Sequence, residues 1–342
     1  MATTRLSDLI QVPVVESYGV VNAIENNAFI ESGVAVTNDL FAQRIGSGSA
    51  VVSMPYMGDL PRTEANYSND DPEDHAVPEK IGSGEMQARM AFMNKGWAYM
   101  DLIRDLTGMN VNQRIASRVG AYWQNEVLTQ RIIRSAVGVY NANVAQDGGD
   151  MVNDVSGGTG AAAGFSVDAF IDATMTLGDA FGQVTAIAMH SLKYGELLKQ
   201  QNIEFVRDAS GTLLYSTYQG MRVIIDDKMP ILGTDAASRK YLTIIFGQGA
   251  FGYAQTLPSV PQEIVRDATA GHGGGMEALW TRRNMLIHPQ GYSFTGEQLS
   301  SLAPDQTGTE IPQATYADLA AAVNWDRKME RKAVKLAFLV TK

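Results

Sequence analysis

The sequence predicts an α+β protein in which a projecting β-hairpin and a long helix frame an inserted α/β domain. Three observations carry this reading. Two strand-like apolar runs, 50–54 and 86–94, flank an acidic, proline-punctuated stretch at 55–80. One amphipathic pattern runs from 111 to 143. A Gly/Ala/Asp-rich segment, 146–164, then separates this rod from a block of alternating helix and strand patterns. A projecting arm cannot bury itself, so a chain with this much projecting length is expected to hold other copies of itself.

The totals bound the function classes. At 342 residues the length suits about two ordinary domains, and 45% hydrophobic residues suffice for a sizeable core. Charged residues make up 19%, below the usual ~25%, which leaves more neutral surface for protein–protein contact. Against 27 Lys and Arg stand 37 Asp and Glu, a net charge of −10. That balance argues against nucleic-acid binding by counterion release, which needs clustered cations. It suits a protein that lies beside nucleic acid without sticking to it. With no cysteine, disulfides, thiolate metal sites and cysteine nucleophiles are excluded. The start, MATTRLSDLIQVPVVESY, lacks the basic head and continuous apolar core of a signal peptide. No stretch approaches the ~18 apolar residues of a membrane span, so the chain is expected to be soluble and made in the cytosol.

Taken in order, residues 1–43 alternate short apolar runs with polar breaks, as an arm or small helices lying on something else would. Residues 50–54 read as a strand, and Pro55, Pro61, Pro72 and Pro78 make helix or central strand unfavourable beyond it. Met86, Ala88, Met90 and Phe92 alternate with other residues and predict the return strand. Residues 101–106 predict a short helix. Asn110 can cap the rod, in which Val111, Ile115, Val119, Tyr122 or Trp123, Val127, Ile132 or Ile133, Val137 and Tyr140 recur at three- to five-residue steps. Ser166 can cap a helix over 167–181, and 188–200 predicts another. Residues 221–225 and 241–246 are dense apolar strands. After the glycine cluster 271–275, a strand over 279–287, a helix over 316–325 and a final strand over 333–340 return to the first domain.

Each motif with chemical overtones has a stronger structural reading. Gly247-Gln248-Gly249-Ala250-Phe251-Gly252 is a literal G-x-G-x-x-G after a strand, the pattern that lets a backbone approach a pyrophosphate. Pro258 and Pro261 fall where the required helix should run, which favours a glycine-rich strand-to-turn passage over a nucleotide-dependent oxidoreductase. The run from Asn69 to His75 lacks the spacing and glycine of a calcium loop and reads as a solvated tip. The four histidines are scattered, and no nucleophile elbow is present. No catalytic, cofactor or metal residue is therefore expected. Methionines 54, 57, 86, 90, 93 and 100 crowd the hairpin, as core filling or as an adaptable contact surface. The basic patch of Arg327, Lys328, Arg331, Lys332 and Lys335 has no interleaved aromatic platform and reads as a solvated face or inter-subunit ion pairs.

The chain resembles the major capsid (coat) proteins of tailed bacteriophages. The resemblance rests on AFIESG (28–33), MPYMGDL (54–60), KGWAYMDL (95–102), AYW (121–123) and FGQGAF (246–251). RRNMLIHPQGYSF (282–294), NWD (324–326), ERK (330–332) and AFL (337–339) complete it, so it runs almost end to end. It implies the family fold, which encapsulins share: an N-terminal arm over 1–45, an extended loop over 46–94, a peripheral domain over 95–164 and 273–342 with spine helix 111–143, and an axial domain over 165–272. It also implies pentamers and hexamers tiling an icosahedral head around double-stranded DNA, bound without sequence specificity. The implied partners are the chain itself, a portal, and scaffolding or decoration proteins; no membrane is involved. The implied location is the virion capsid, after assembly in the host bacterial cytoplasm. An encapsulin compartment shell is the alternative reading. Tyr56, Leu60, Trp97 and Trp123 are the expected assembly anchors, since aromatic residues dominate such contacts.

Overall fold

The computed structural model describes residues 27–37, 50–60, 63–107, 111–200, 203–207, 213–233, 235, 238–299 and 313–342. Most of the expected N-terminal arm, 1–26 and 38–45, lies outside the described residues. The part within them, 27–37, packs on the subunit's own core. Asn27 caps the turn Ala28–Glu31, its side-chain oxygen accepting from the Phe29 amide at 2.9 Å. Phe29 is fully buried, edge-on to Phe246 with ring centroids 5.6 Å apart. β1 (Ala35–Thr37) follows, so this segment is core.

The hairpin is a beam. β2 (Val51–Met57) pairs antiparallel with the outer part of β3 (Ser83–Met100), in register from Val51↔Arg89 to Met57↔Ser83. β3 is far longer than the predicted return strand. Its inner part is held by a second long strand late in the chain, a pairing that sequence-local periodicity cannot register. Val52, Met86, Ala88 and Met90 occupy the buried face, the two-residue alternation the sequence showed. Tyr56 lies across Gly84, where a Cβ would fall 2.6 Å from the ring. An aromatic ring laid over a cross-strand glycine covers backbone that no side chain protects.

After the short helix Asp101–Thr107 comes the spine, in three joined parts: Val111–Ala121, a π-helical stretch Tyr122–Leu128, and Thr129–Gln146. The π turns reset the phase of the apolar stripe. This is why the sequence pattern alternated between neighbours at 122–123 and 132–133. In these widened turns the Gln124 carbonyl accepts from the Thr129 amide and also from the Asn27 side-chain amide, which donates to it at 3.1 Å and to Thr129 Oγ1 at 3.1 Å. The last part of the spine is buried nearly all round, as a helix between two sheets must be. Gly138 is where it meets the chain most closely: Trp325 and the Leu319 carbonyl sit against the glycine with no room for a side chain.

The spacer after the spine is not a free linker. β4 (Val152–Asp154) pairs in parallel near the C-terminal end of the described chain, and Met151 is fully buried. Ser166 caps Val167–Met175, shorter than predicted, and a 3₁₀ segment Gly178–Gln183 takes over. The helix expected over 188–200 begins later: β5 (Val184–Met189) occupies its first residues and His190 caps Ser191–Lys199. β6 (Glu204–Arg207), β7 (Leu213–Tyr218), β8 (Met221–Ile225), β9 (Ile231–Leu232) and β10 (Lys240–Gly247) follow. Then come β11 (Phe251–Thr256), β12 (Gln262–Asp267), β13 (Met276–Pro289) and β14 (Tyr292–Phe294). The last helix covers only Tyr316–Ala320, followed by β15 (Trp325–Arg327) and β16 (Leu336–Thr341).

Two main sheets result. One runs β1-β11-β13-β3-β2, with β12 also on β13; the other runs β4-β16-β10-β5-β8-β7-β6, with β9 also on β10. β14 and β15 form a separate pair. Strand pairing thus crosses the expected segment bounds. β16 enters the sheet of the insert, and residues 251–267 return to the sheet of the hairpin. The central strands of the second sheet are apolar on both faces because both are covered. Ala186, Ala188, Ile244, Phe246 and Phe338 face the spine, while Ile187, Met189, Ile245, Ala337 and Leu339 face the two helices of the insert.

Candidate assembly surfaces

Among the described residues, the projecting end of the beam carries the three most exposed large apolar side chains. Gly58 to Gly82 form a loop closed at its neck by the Gly58 amide, which donates to the Gly82 carbonyl at 2.7 Å. The described part of the loop has neither helix nor strand. Met57 is 83% exposed, Tyr67 83% and Val77 79%, with Leu60 and Ile81 also more than half exposed. These residues gain nothing from their own subunit. Burying a side chain of this size is worth about 1.5–3 kcal/mol.

The four anticipated anchors fall in different settings. Leu60 is on the open loop. Tyr56 is half-buried and tethers the beam, its hydroxyl donating to the Lys328 carbonyl at 2.8 Å. Trp97 is half-buried, edge-on to Tyr122 at 5.2 Å. Trp123 is 3% exposed, and its indole Nε1 donates to Thr281 Oγ1 at 3.0 Å. Its ring therefore belongs to the subunit's own core, because it lies on the face of the spine that covers β13, and it is not free as a contact. Met57, Tyr67 and Val77 were not singled out as anchors. The available signal was an apolar residue in a stretch too acidic and proline-rich to fold on itself.

The glycine run 247–252 joins β10 to β11 with no helix after it. Its amides already have acceptors: Gly247 donates to the Lys335 carbonyl, Gln248 to Gln183, Gly249 to Gly33 and Phe251 to Val34. A backbone engaged in this way cannot cradle a pyrophosphate, so the nucleotide reading of this run does not fit. Among the described residues no group of three or more His, Asp or Glu side chains is placed to share a metal ion. No helix among them is long and apolar enough to cross a membrane.

Where the spine ends, a polar knot ties it to the C-terminal strands. Arg327 bonds both Asp150 oxygens at 2.8 Å and lies 3.6 Å from Asp147. Asn143 donates to Asp150 at 2.7 Å, and the Tyr292 hydroxyl donates to Asp147 at 2.9 Å. Burial opposes the Asp150 charge, but Arg327 and Asn143 outweigh it and hold the carboxyl below its ordinary range. Arg331 extends the knot to the insert, donating to Thr176 Oγ1 at 2.7 Å. Two basic residues of the predicted patch, Arg327 and Arg331, thus serve the subunit itself. Beside them His288 is wholly buried against Trp325, with Nε2 2.6 Å from the Tyr292 carbonyl. Burial pushes its imidazole down to about 4, against that hydrogen bond. Arg131, buried in the spine, bonds the Ala314 carbonyl at 3.3 Å, and burial lowers it to about 10, still charged at neutral pH.

A body of two sheets bracketing a spine helix, with one ribbon projecting beyond it, is the architecture the sequence led us to expect of a coat subunit. No protein-family profile matches the chain. It is 33% identical over 340 residues to the major capsid protein of Bacillus phage SPP1, covering 98% of this chain and 97% of that one. The chain belongs to the phage major capsid protein family. Among solved structures, the capsid of Ralstonia phage GP4 superposes with a TM-score of 0.51 over 78% of this chain and 88% of its own, at 10% identity. That likeness shows the fold. Mycobacterium phage Bobi gives a TM-score of 0.49 at 12% identity, covering 100% of this chain and 96% of its counterpart.

Proposed function

We propose that this chain builds an icosahedral phage head by forming pentamers and hexamers that enclose double-stranded DNA. The observation that carries the reading is the set of exposed apolar residues, Met57 at the end of β2 and Leu60, Tyr67, Val77 and Ile81 on the loop beyond it, which the subunit itself leaves uncovered. In an assembled shell each loop lies over a neighbouring subunit. Contacts of this head-to-tail kind close into rings when the rotation allows. Segments 95–164 and 273–342 act as the peripheral domain, 165–272 as the axial domain at the capsomer centre, and 1–45 as the N-terminal arm, of which 27–37 packs on its own subunit. Assembly in the host cytoplasm joins the chain to a portal, with scaffolding or decoration proteins as further partners. The acidic balance keeps the packaged DNA from being immobilised on the wall.

Deleting residues 59–81 tests this directly. Gly58 and Gly82 already meet through a hydrogen bond, so the deletion reconnects the chain without straining the beam. The expected product melts like the full chain but forms no closed particles in negative-stain electron microscopy. Intact shells from the deleted chain would overturn the loop's role.

A further inference from the structure

We propose that Arg131 and Arg134, on the last segment of the spine, hold a small oxyanion of the inorganic phosphate class beneath Tyr316. Both arginines lie in the stretch of the spine that is covered nearly all round. A buried charge is costly unless it meets an opposite one. Arg131 is 6% exposed, and its one hydrogen bond, to the Ala314 carbonyl, engages a neutral acceptor with one of five donors. Its Nε is buried with no acceptor, and so is Nε of Arg134. Among the described residues neither arginine is ion-paired, and the only titrating group that acts on Arg131 against its burial is the Tyr316 phenol.

The unanswered donors share one place. Residues 130, 131 and 134 are three and four apart and so lie on one flank of the helix. Gln130, 8% exposed, adds a buried Nε2 that also lacks an acceptor. The segment from Ala314 to the helix Tyr316–Ala320 covers this flank. Ala314 is bonded to Arg131, and one turn beyond Arg134 the Leu319 carbonyl sits against Gly138. Tyr316 therefore lies over the two arginines. Burial raises its hydroxyl, and Arg131 and Arg134 draw it back down, so both guanidiniums are close enough to act on it. Tyr316 is 41% exposed and Arg134 half-buried, which leaves the rim of the site open while Arg131 closes its floor.

Two guanidiniums, an amide and a phenol offer donors to one space, and guanidinium forks match the paired oxygens of a phosphate. Glu126, the acidic group that also acts on Tyr316, is engaged by Lys228 beyond β8 and leaves the arginines unneutralised. A free oxyanion is small enough to reach the floor at Arg131. A phosphate in duplex DNA carries a sugar on either side and meets a chain of net charge −10, so the buried guanidinium is poorly placed for it. The bound anion ties the spine to the helix Tyr316–Ala320. Because it binds only the folded chain, subunit stability rises with its concentration.

The test uses the full-length chain as unassembled subunits, in sodium phosphate against sodium chloride at equal ionic strength and pH 7. Titration calorimetry should find one saturable phosphate per subunit. The melting temperature should climb by about 2 °C for each tenfold rise in phosphate beyond saturation. Arg134→Gln should melt like the parent in chloride and bind phosphate at least about tenfold more weakly. Arg131→Met, which replaces the uncompensated charge by a side chain of similar reach, should melt at or above the parent in chloride and ignore phosphate. If phosphate raises all three chains alike, the effect is its general exclusion from protein surfaces and the site does not exist. Absence of saturable binding to the parent overturns the proposal equally. A shift produced by duplex DNA and not by free phosphate, and lost in Arg134→Gln, would overturn it in favour of a DNA contact.

Discussion

Gly138→Ala offers the sharpest check on the packing described here, because helix propensity and packing predict opposite signs. In a helix interior, alanine is worth about 1 kcal/mol more than glycine. The structure says that gain is overwhelmed. A Cβ at Gly138 would fall on the Leu319 carbonyl and the Trp325 Nε1, with Trp325 Cδ1 2.7 Å away. Carbon pairs sit comfortably at ~3.5–4.0 Å, so the indole must retreat by about 1 Å. Overpacking of this kind costs about 1–3 kcal/mol. The methyl also enters the site of the bond from Trp325 Nε1 to the Leu319 carbonyl, 2.7 Å long and buried, and a buried donor left unmet costs about 1–3 kcal/mol. The net expectation is a loss of about 3 kcal/mol, a fall in melting temperature of about 4 °C. Gly195→Ala is the matched control, since it lies in the helix Ser191–Lys199 with nothing within 4 Å of its Cβ, and should gain about 0.5–1 kcal/mol. Differential scanning calorimetry at one fixed scan rate reads both. If Gly138→Ala melts at or above the parent temperature, the close approach of spine and Trp325 is wrong.

Two further outcomes follow from buried polar groups. The His288 imidazole, at about 4 when folded against ~6.5 unfolded, takes up its proton more readily in the unfolded chain between those values. Its contribution is therefore complete above about pH 6.5 and is lost as pH falls towards 4, by about 3 kcal/mol in total. Urea midpoints measured from pH 7 to 4.5 should decline, and less steeply in His288→Asn; equal slopes would refute the assignment. Asn27→Ala removes the cap on Ala28–Glu31 and one donor to the Gln124 carbonyl of the π segment, which keeps the Thr129 amide, and should cost about 1–2 kcal/mol. Faster hydrogen exchange should appear in residues 122–129 first. Unchanged exchange there would mean that the arm segment does not brace the π turns.

The parts of this fold legible in the sequence are those whose signal is local. The 86–94 alternation, the capping Ser166, the 241–246 run and the long spine each announce themselves within a dozen residues. What escaped depends on partners far along the chain. β3 continues to Met100 because β13 pairs it from Met276↔Met100 to Leu286↔Met90, and no nearby residue signals that. The last two residues of β5, Ala188 and Met189, read as the start of a helix because a buried strand shares its apolar run with a buried helix. β4 hid inside a glycine-rich spacer, since three residues joining an edge need no periodicity of their own.

The candidate surface divides along the same line. Leu60 and the acidic tip were recognisable because exposure there follows from composition: prolines and carboxylates prevent the segment from folding on itself. Tyr56, Trp97 and Trp123 were judged by residue type alone, and type does not say which partner an aromatic ring has found. Trp123 found Thr281 across 158 residues, whereas Tyr67, three residues from its partner Glu64, keeps its ring in solvent. The spine makes the consequence general. Once the helix is covered by both sheets, its aromatic residues stabilise the subunit, whereas Met57, Tyr67 and Val77 on the ribbon stay exposed. On the proposed role of the loop, substitutions there should separate assembly from folding where substitutions in the spine cannot.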